Sequence, residues 1–201
     1  MSFGLCNFVA MNKKSIALFA SGNGSNAENL IRFFQNHPQI EVKMLVCNKA
    51  DAPVVEKARA LGVEVLVFTN EEFESGLTVL QELDYRAIDW IVLAGFLRKI
   101  PLNIIHGYQN RMINIHPSLL PKYGGKGMYG KFVHEAVVSA KEPKSGISIH
   151  LVNEEFDQGE ILAQFETVVT PEDTWESLAA KIHALEHKHF PIIVEQTVLN
   201  N

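Results

Sequence analysis

The sequence predicts an α/β protein whose fold is Rossmann-like and doubly wound, with a mostly parallel sheet and helices on both faces. The first observation is a series of short, almost wholly apolar segments, which is typical of strands buried on both sides of a parallel sheet. The second is that segments with the helical spacing of apolar residues alternate with them, as in βαβ units. The third is a glycine-rich turn after the first strand, where such sheets bind ligands.

The predicted elements follow one another at short intervals along the chain. The strands are expected at about 15–20, 42–47, 63–68, 90–94, 111–116, 146–152 and 161–169. The helices are expected at about 26–36, 53–61, 71–83, 101–107, 131–140 and 173–189. Pro53 and Pro101 suit the first turn of a helix, and Thr174 or Asp173 suits the cap of the last one.

We expect the whole chain, residues 1–201, to form a single domain. A chain of 201 residues can bury one full core, and it shows no repeat, linker or low-complexity segment. Residues 1–14 are interpreted as an N-terminal extension and lead-in, of which residues 1–10 are hypothesised to be dispensable for folding and activity. The N-terminal half then spans about 15–110 and the C-terminal half about 111–190.

Composition argues against several classes of protein. Hydrophobic residues make up 47% and charged residues 20% of the chain, which is an ordinary globular balance. The net charge of -5 and the lack of a basic block disfavour a nucleic-acid partner. No apolar stretch is long enough for a membrane span. Cys6 and Cys47 are too few for a disulfide framework and suit a reducing cytosol, so we expect a cytoplasmic protein.

The turn SGNGSN at 21–26 leads from the first strand into the first helix. Gly22 and Gly24 permit a tight backbone, so that free amides at the helix N-terminus would form a cradle for a small phosphate. With Ala27 these glycines match the dinucleotide pattern, but Asn48 stands where a ribose-binding acid is expected. A small phosphate is therefore favoured over a dinucleotide, and a turn that binds nothing stays open as the alternative.

Asn114 and His116 lie two residues apart on the fifth predicted strand and therefore share one face. Acyl transfer needs such groups, a donor for a developing oxyanion and an imidazole to move a proton. Asp157, in the acidic loop NEEFDQGE, would raise the pKa of His116 if the fold brought the two together. The alternatives are a buried hydrogen-bonded pair and a solvated loop carboxylate.

Two further patterns carry less information. The segment AGFLRKI at 94–100 places Arg98 after the fourth strand, which by itself indicates an ordinary strand-to-helix turn. The stretch HALEH at 183–187 matches the zinc pattern H-x-x-E-H, but no obvious third ligand follows, and we expect no metal site. The remaining histidines are expected in core or surface roles: His37, His106, His134, His150 and His189.

Four segments together resemble a known family, and they span the chain from about residue 15 to residue 190. They are IALFASGNGSN, IVLAGFLRKIP, INIHPSLLPKYGGKGMYGKFVHEAV and SGISIHLVNEEFDQGEILAQ. These segments resemble the phosphoribosylglycinamide formyltransferases, the folate-dependent glycinamide ribonucleotide transformylases of purine synthesis. The motif Asn-x-His-x-Ser-Leu-Leu-Pro with a later Asp-x-Gly is shared by the wider formyltransferase superfamily, and the glycine turn narrows the resemblance to this branch.

The resemblance implies a reaction and its partners. A formyl group would move from N10 of 10-formyltetrahydrofolate, as co-substrate, to the amine of 5-phosphoribosylglycinamide, directly and without a metal. The N-terminal half would bind the phosphate, and the C-terminal half would carry catalysis and folate binding. These two small molecules would be the partners of a monomer or homodimer, with no nucleic acid and no membrane.

The resemblance also implies which residues act. The catalytic residues would be Asn114, His116 and Asp157, with Asn114 and protonated His116 donating to the oxyanion. The ribonucleotide would be bound at its phosphate by Gly24, Ser25 and Asn26, and at its glycinamide part by His183 and Glu186. The folate would be bound by Leu97, Arg98, Lys99, Ile100, Asn114, Asn153, Glu154, Glu155 and Phe156.

Alternatives and departures remain at this stage. A 10-formyltetrahydrofolate hydrolase would use the same three catalytic residues with water as the nucleophile. A methionyl-tRNA formyltransferase would need more basic surface and an RNA-binding domain. A nicotinamide oxidoreductase and a non-catalytic nucleotide-binding module are weaker rivals. The segment TNEEFESGL is acidic where some members carry a basic residue for the folate tail, which leaves that contact open.

Overall fold

In the computed structural model, which describes residues 13–201, seven strands form one sheet. The strands are β1 (Lys14–Phe19), β2 (Ile40–Cys47), β3 (Glu64–Val67), β4 (Trp90–Leu93), β5 (Met112–His116), β6 (Lys144–Leu151) and β7 (Ile161–Val168). Their order across the sheet is β3-β2-β1-β4-β5-β6-β7. Strands β1 to β5 pair in parallel, whereas β6 and β7 pair antiparallel with their neighbours. The predicted mostly parallel sheet is confirmed, and the hypothesis about residues 1–10 lies outside the described residues.

Helices cover both faces of the sheet. They are α1 (Ser25–Phe34), α2 (Pro53–Ala60), α3 (Asn70–Ser75), α4 (Leu77–Tyr85), α5 (Leu102–Gly107), α6 (Lys131–Ser139) and α7 (Trp175–Leu199). One core packs Ile16 and Leu18 of β1 against α1, α2, α6 and α7. The other core packs Ala17 and Phe19 against α3, α4 and α5. The side chains of β1 alternate between the two cores because successive residues of a strand point to opposite faces.

The predicted helix at 71–83 is wrong in its continuity, because two shorter helices occupy this segment. Helix α3 ends at Gly76, whose φ of 67° lies in the left-handed region that glycine adopts easily. A Cβ atom on Gly76 would lie 2.2 Å from Oδ1 of Asn103, so a larger residue would not fit. Thr69 and Glu72 form a capping box at the start of α3. The helix therefore stops and restarts at Gly76.

The last helix is longer than predicted. We expected it to end near residue 189, but α7 continues to Leu199 with Pro191 inside it. Proline has no backbone N–H, so the carbonyl of His187 receives no hydrogen bond from position 191. The side-chain amide of Asn29 in α1 donates to that carbonyl over 2.9 Å instead. The inward-facing residues beyond the proline are fully buried, which holds the last turns on the sheet.

Helix α7 begins at a capped end. Thr174, one of the two predicted caps, accepts a hydrogen bond at Oγ1 from the amide of Ser177 over 3.3 Å. The helix is 25 residues long. Neither α7 nor any other helix between residues 13 and 201 combines the length and apolar character needed to cross a membrane.

Neighbouring strands bring three predicted segments to the same edge of the sheet. Strands β1, β4 and β5 lie side by side, so the turns after β1 and β4 meet the end of β5 at their carboxyl ends. The amide of Ser21 donates to the carbonyl of Gly95 over 3.1 Å, and the amide of Leu97 donates to Oγ of Ser21 over 3.1 Å. The strand order reverses beside β1, which creates a crevice of the kind where α/β sheets bind ligands.

Candidate active site

A cavity of about 690 Å³ opens at the carboxyl ends of these strands. This volume falls in the range of small-molecule sites. Every residue that the sequence singled out for a site lines the cavity: Gly24, Ser25, Asn26, Leu97, Arg98, Lys99, Ile100, Asn114, His116, Asn153, Glu154, Glu155, Phe156, Asp157, His183 and Glu186. Residues that are far apart in the chain thus meet around one space.

The glycine turn forms one end of the cavity. Gly24 precedes α1 with a φ of 71°, and a Cβ atom on it would lie 2.1 Å from Cγ2 of Val54. The amide of Val54 at the start of α2 donates to the carbonyl of Gly22 over 3.2 Å, which fixes the turn against that helix. The first amides of a helix have no intrahelical partner, so those of α1 face this end of the cavity as anion donors.

Asn26 and Glu186 form a buried polar pair beside the turn. The amide nitrogen of Asn26 donates to Oε2 of Glu186 over 2.9 Å, and Glu186 is only 6% exposed. Burial raises the pKa of Glu186, and the hydrogen bond from Asn26 lowers it by less. The Oδ1 atom of Asn26 is buried without a hydrogen-bond partner among the residues that the structure describes. That oxygen is an acceptor to which a ligand can donate.

The side chains of the H-x-x-E-H stretch point to different sides of α7. Glu186 turns inward to Asn26, whereas His183 and His187 are exposed on the helix. Across residues 13–201, no group of three or more His, Cys, Asp or Glu side chains has an arrangement that could hold a metal ion. Two residues of this stretch, His183 and Glu186, line the cavity.

Asn114 faces His150 across the β5–β6 pair. The two residues are direct partners in the antiparallel register, and Nδ2 of Asn114 lies 3.0 Å from Nε2 of His150. Nδ1 of His150 lies 2.7 Å from the carbonyl oxygen of Leu151, so it must carry the hydrogen of that bond. Nε2 of a neutral His150 is then the acceptor for Asn114. The second hydrogen of the Asn114 amide is left for a ligand.

His150 was expected in a core or surface role, and its position in the cavity corrects that expectation. The signal was present in the sequence, because His150 lies on a predicted strand that alternates polar and apolar residues. The sequence did not predict the register between β5 and β6, which sets His150 opposite Asn114. His134, on helix α6, was missed as well, and it also lines the cavity.

His134 is a buried neutral imidazole on the inner face of α6. Burial lowers its pKa to about 4, with smaller contributions from His183 and His116. Its Nδ1 atom is buried without a hydrogen-bond partner within the described part of the chain. At neutral pH, His134 therefore adds no charge to the cavity.

His116 is held between a carbonyl and a carboxylate. Its Nε2 atom lies 2.8 Å from the carbonyl oxygen of Tyr123, so Nε2 carries the hydrogen of that bond. Its Nδ1 atom lies 3.5 Å from Oδ2 of Asp157. Burial lowers the pKa of His116 below its ordinary 6.5, although the negative charge of Asp157 raises it. The expected effect of Asp157 is therefore present, but burial outweighs it, and His116 rests as a neutral imidazole with Nδ1 free to take a proton.

Asp157 is placed by a strained loop. Its φ of 56° is unusual for a residue other than glycine, and its Oδ2 atom accepts from the amide of Gly125 over 2.8 Å. A Cβ atom on Gly159 would lie 1.8 Å from the carbonyl oxygen of Leu151, so the loop can close only with glycine there. Burial raises the pKa of Asp157, but contacts with His150, His116 and Gly125 outweigh it and lower the pKa overall. Asp157 therefore remains a carboxylate at neutral pH.

The remaining predicted residues form the opposite wall. Ile100 is buried, whereas Leu97 is 52% exposed at the opening. The Lys99 ammonium lies 5.5 Å from the centre of the Phe156 ring, which joins the 94–100 turn to the loop after β6. Apolar side chains without a predicted role complete this wall: Phe96, Ile105 and Val152. The wall thus offers a largely apolar surface for a flat ring system.

Two side chains at the opening, Arg98 and His106, each lie beside a glutamate. The Arg98 guanidinium lies 2.7 Å from Oε1 of Glu74 in α3, and Nε2 of His106 lies 2.9 Å from Oε1 of Glu154. The amide of Glu155 donates to Oδ1 of Asn153 over 3.0 Å. The acidic segment singled out in the sequence therefore engages Arg98 directly. Such exposed pairs contribute little to stability.

Comparison with known proteins identifies relatives of this chain. Residues 14–194 match the model of the formyl transferase family. Phosphoribosylglycinamide formyltransferase of Bacillus subtilis is 35% identical over 94% of this chain and 97% of its own length. The chloroplastic phosphoribosylglycinamide formyltransferases of Arabidopsis thaliana and Vigna unguiculata are 40% and 38% identical over 90% and 93% of this chain. The chain spans only 64% and 62% of the lengths of these two plant relatives.

Solved structures agree in fold. The phosphoribosylglycinamide formyltransferase of Bacillus halodurans superposes with a TM-score of 0.83 at 35% identity, over 91% of this chain and 94% of that chain. The enzyme of that name from Coxiella burnetii gives a TM-score of 0.84 at 35% identity, over 94% of this chain and 89% of that chain. The family match and the alignments confirm the resemblance found in the sequence. This chain belongs to the formyl transferase family and, within it, is a relative of the phosphoribosylglycinamide formyltransferases.

Proposed function

We propose that this chain is a phosphoribosylglycinamide formyltransferase that moves the formyl group of 10-formyltetrahydrofolate to the amine of 5-phosphoribosylglycinamide in purine biosynthesis. The observation that carries the proposal is the shared cavity, which is lined both by the glycine turn before α1 and by the amide, imidazole and carboxylate of Asn114, His116 and Asp157. The names of the relatives that match across most of the chain support it.

The ribonucleotide fits the end of the cavity formed by α1 and α7. Its phosphate would accept hydrogen bonds from the backbone amides of Gly24, Ser25 and Asn26, as at other helix N-termini. Its neutral polar groups would reach the free Oδ1 atom of Asn26 and the Glu186 carboxyl group, with His183 beside them. This arrangement assigns phosphate binding to the N-terminal half of the chain, with α7 closing the site.

The folate co-substrate fits the apolar wall. Its flat pterin would lie against the 97–100 segment and the 153–156 loop, which line the cavity together with the apolar side chains of Phe96, Ile105 and Val152. This assigns folate contacts to Leu97, Arg98, Lys99, Ile100, Asn153, Glu154, Glu155 and Phe156. Asn114 lies between the two ends of the cavity, so N10 and its formyl group would sit at the end of β5.

The reaction follows from the donors and the base at that point. The amine nitrogen attacks the formyl carbon, and the carbonyl electron pair moves to oxygen to give an oxyanion. The free N–H of Asn114 donates to that oxyanion. His116 accepts the amine proton, directly or through a water molecule, and becomes an imidazolium held by Tyr123 and Asp157. The electron pair of the oxyanion then re-forms the carbonyl, the bond from carbon to N10 breaks, and N10 takes up the electron pair of that bond and a proton from His116.

The test is an assay of the purified protein with 10-formyltetrahydrofolate, with and without 5-phosphoribosylglycinamide. We expect tetrahydrofolate formation, followed by absorbance, to depend strictly on the ribonucleotide. Formylglycinamide ribonucleotide should appear in equal amount. Equal turnover without the ribonucleotide would mean that water is the acceptor, and the transferase assignment would have to be given up for the hydrolase.

Replacing Gly24 by alanine is expected to weaken ribonucleotide binding. The added Cβ would meet Val54 and would force a left-handed residue out of its conformation, so the turn would lose its shape. The expected loss is about tenfold or more in affinity, since several amide–phosphate bonds depend on the turn. Calorimetric titration with 5-phosphoribosylglycinamide measures it.

Gly22→Ala is the matched control for stability, because a Cβ atom on Gly22 would have no heavy atom within 4 Å. We expect its melting temperature to match that of the unmodified protein, while Gly24→Ala melts earlier. Unchanged ribonucleotide affinity in a folded Gly24→Ala protein would argue against the phosphate assignment.

The pH profile of kcat/KM is expected to have an acid limb below pH 6.5. Resting His116 must be neutral to accept a proton, and burial lowers its pKa below the ordinary value of 6.5. Activity should therefore fall as pH drops through that pKa. In Asp157→Asn the limb should move to still lower pH, because the charge that raises the pKa of His116 is gone. Activity that falls as pH rises through 6.5 would mean that protonated His116 is the resting form.

We also propose a localisation, a class of substrates and an oligomeric state for this protein. Cys47 is a buried free thiol, which suits the reducing cytoplasm. We propose small molecules as its only substrates, without nucleic acid, and action as a monomer or homodimer.

A further inference from the structure

We propose that Asn29 is a positioning residue for the ribonucleotide end of the cavity. Asn29 ties α1 to the part of α7 that carries His183 and Glu186. The inference rests on the proposed function, because it assigns Asn29 an effect on the affinity for the ribonucleotide. Asn29 itself does not line the cavity, so its effect would pass through α7.

The tie depends on a proline. Pro191 lies inside α7. A proline has no N–H to donate to the carbonyl four residues earlier, here that of His187, and its ring also crowds that carbonyl. The carbonyl of His187 is thus available to a partner outside the helix. Nδ2 of Asn29 donates to it over 2.9 Å. The sequence separation of 158 residues makes this a bond between the two ends of the chain.

Asn29 forms the second of two ties between the same helices. Asn26 lies three residues earlier on α1, so both asparagines project from one side of the helix. Asn26 binds the side chain of Glu186, and Asn29 binds the backbone of the next residue, His187. With a single tie, only the packing of α7 in the core would resist its rotation about that bond. Two ties one helical turn apart fix both the rotation and the sliding of α7 against α1.

The position of α7 matters because its inward side chain is buried. Glu186 is 6% exposed and pairs with Asn26, next to the amides that would hold the phosphate. A small rotation of α7 would separate Glu186 from this set. Without the second tie, α7 would spend part of its time out of register, and the apparent affinity would fall by the fraction of molecules that are competent.

The experiment is calorimetric titration of 5-phosphoribosylglycinamide into the full chain carrying Asn29→Ala. We expect the Kd to rise about three- to tenfold, the range that one hydrogen bond accounts for. The KM for 10-formyltetrahydrofolate, which binds the other wall, should stay within about twofold. Gln35→Ala is the matched control, since it removes an exposed amide just after the same helix. Asn29→Asp keeps the size of the side chain but removes the donor. It should also raise the Kd for the ribonucleotide while the KM for folate stays nearly unchanged.

A second variant separates positioning from the mere satisfaction of a carbonyl. Pro191→Ala restores an N–H that can bond to the His187 carbonyl within α7. In Asn29→Ala with Pro191→Ala that carbonyl is satisfied, but the tie to α1 is still absent. We expect this double variant to regain melting temperature while its Kd for the ribonucleotide stays raised. A Kd that returns to the unmodified value would overturn the positioning role.

Three other outcomes are decisive. Equal ribonucleotide affinity in the unmodified protein and in Asn29→Ala would overturn the inference and leave the proposed function intact. No binding of the ribonucleotide by the unmodified protein would overturn the proposed function instead. A rise in the KM for folate that equals the rise in the ribonucleotide Kd would mean general loosening, and would also reject positioning.

Discussion

His116→Ala is expected to lower kcat by about 10²- to 10⁴-fold, the range of a positioned acid–base group. The imidazole is the group at the end of β5 that can take the amine proton and return it to N10. Its two nitrogens are already organised, one by the Tyr123 carbonyl and the other by the Asp157 carboxylate. Alanine leaves neither a base for the amine nor a cation beside the oxyanion. The measurement is steady-state kinetics with both substrates, together with calorimetric binding of the ribonucleotide.

A control variant distinguishes the loss of catalysis from the loss of folding. His189→Ala removes a different imidazole, which is half-buried, stacks on the Phe165 ring with the ring centres 3.7 Å apart and lies outside the cavity. We expect this control to melt earlier and to keep its kcat. His116→Ala should still bind 5-phosphoribosylglycinamide with little change. A near-normal kcat for His116→Ala would remove this residue from the mechanism.

Asn114→Asp is expected to lower kcat by at least the 10²- to 10³-fold that one lost oxyanion donor typically costs. The change is nearly isosteric, so the strand can keep its packing. It replaces the N–H donor by a carboxylate that faces the developing oxyanion. It also removes the donor to Nε2 of His150, so the hydrogen bond between positions 114 and 150 is lost as well.

Steady-state kinetics distinguish the loss of the oxyanion donor from weaker binding of the substrates. An interaction made only in the transition state lowers kcat and kcat/KM together, and we expect the KM for folate to change far less than kcat. Asn36→Asp is the control, because it makes the same chemical change at an exposed site after α1. If Asn114→Asp raised KM and left kcat unchanged, Asn114 would be a binding residue and not an oxyanion donor.

Local sequence patterns were enough to predict most of the secondary structure and most of the residues of the candidate site. Apolar runs and helical spacing are properties of neighbouring residues, so the strands and most helices lie where they were predicted. Asn114 and His116 share a face because they are two residues apart on a strand. Asp157 was singled out in the acidic loop as a candidate partner of His116, and the resemblance implied its catalytic role; the structure brings its Oδ2 atom to 3.5 Å from Nδ1 of His116.

The errors lie where distant residues decide a local feature. Gly76 breaks the predicted helix because Asn103, 27 residues further on, occupies the space of a side chain. Helix α7 passes through Pro191 because Asn29, near the other end of the chain, binds the carbonyl that the proline leaves free. Neither partner belongs to the window from which a helix is predicted.

By itself, the sequence determined the α/β class, the order of its elements, the glycine turn and the pairing of an amide with an imidazole on one strand. These features follow from periods of two and 3.6 residues and from the backbone freedom of glycine. Only the tertiary structure decided that His150 partners Asn114, because strand register is set by contacts between β5 and β6. It also decided the resting protonation of His116, because burial depends on the whole fold around the imidazole.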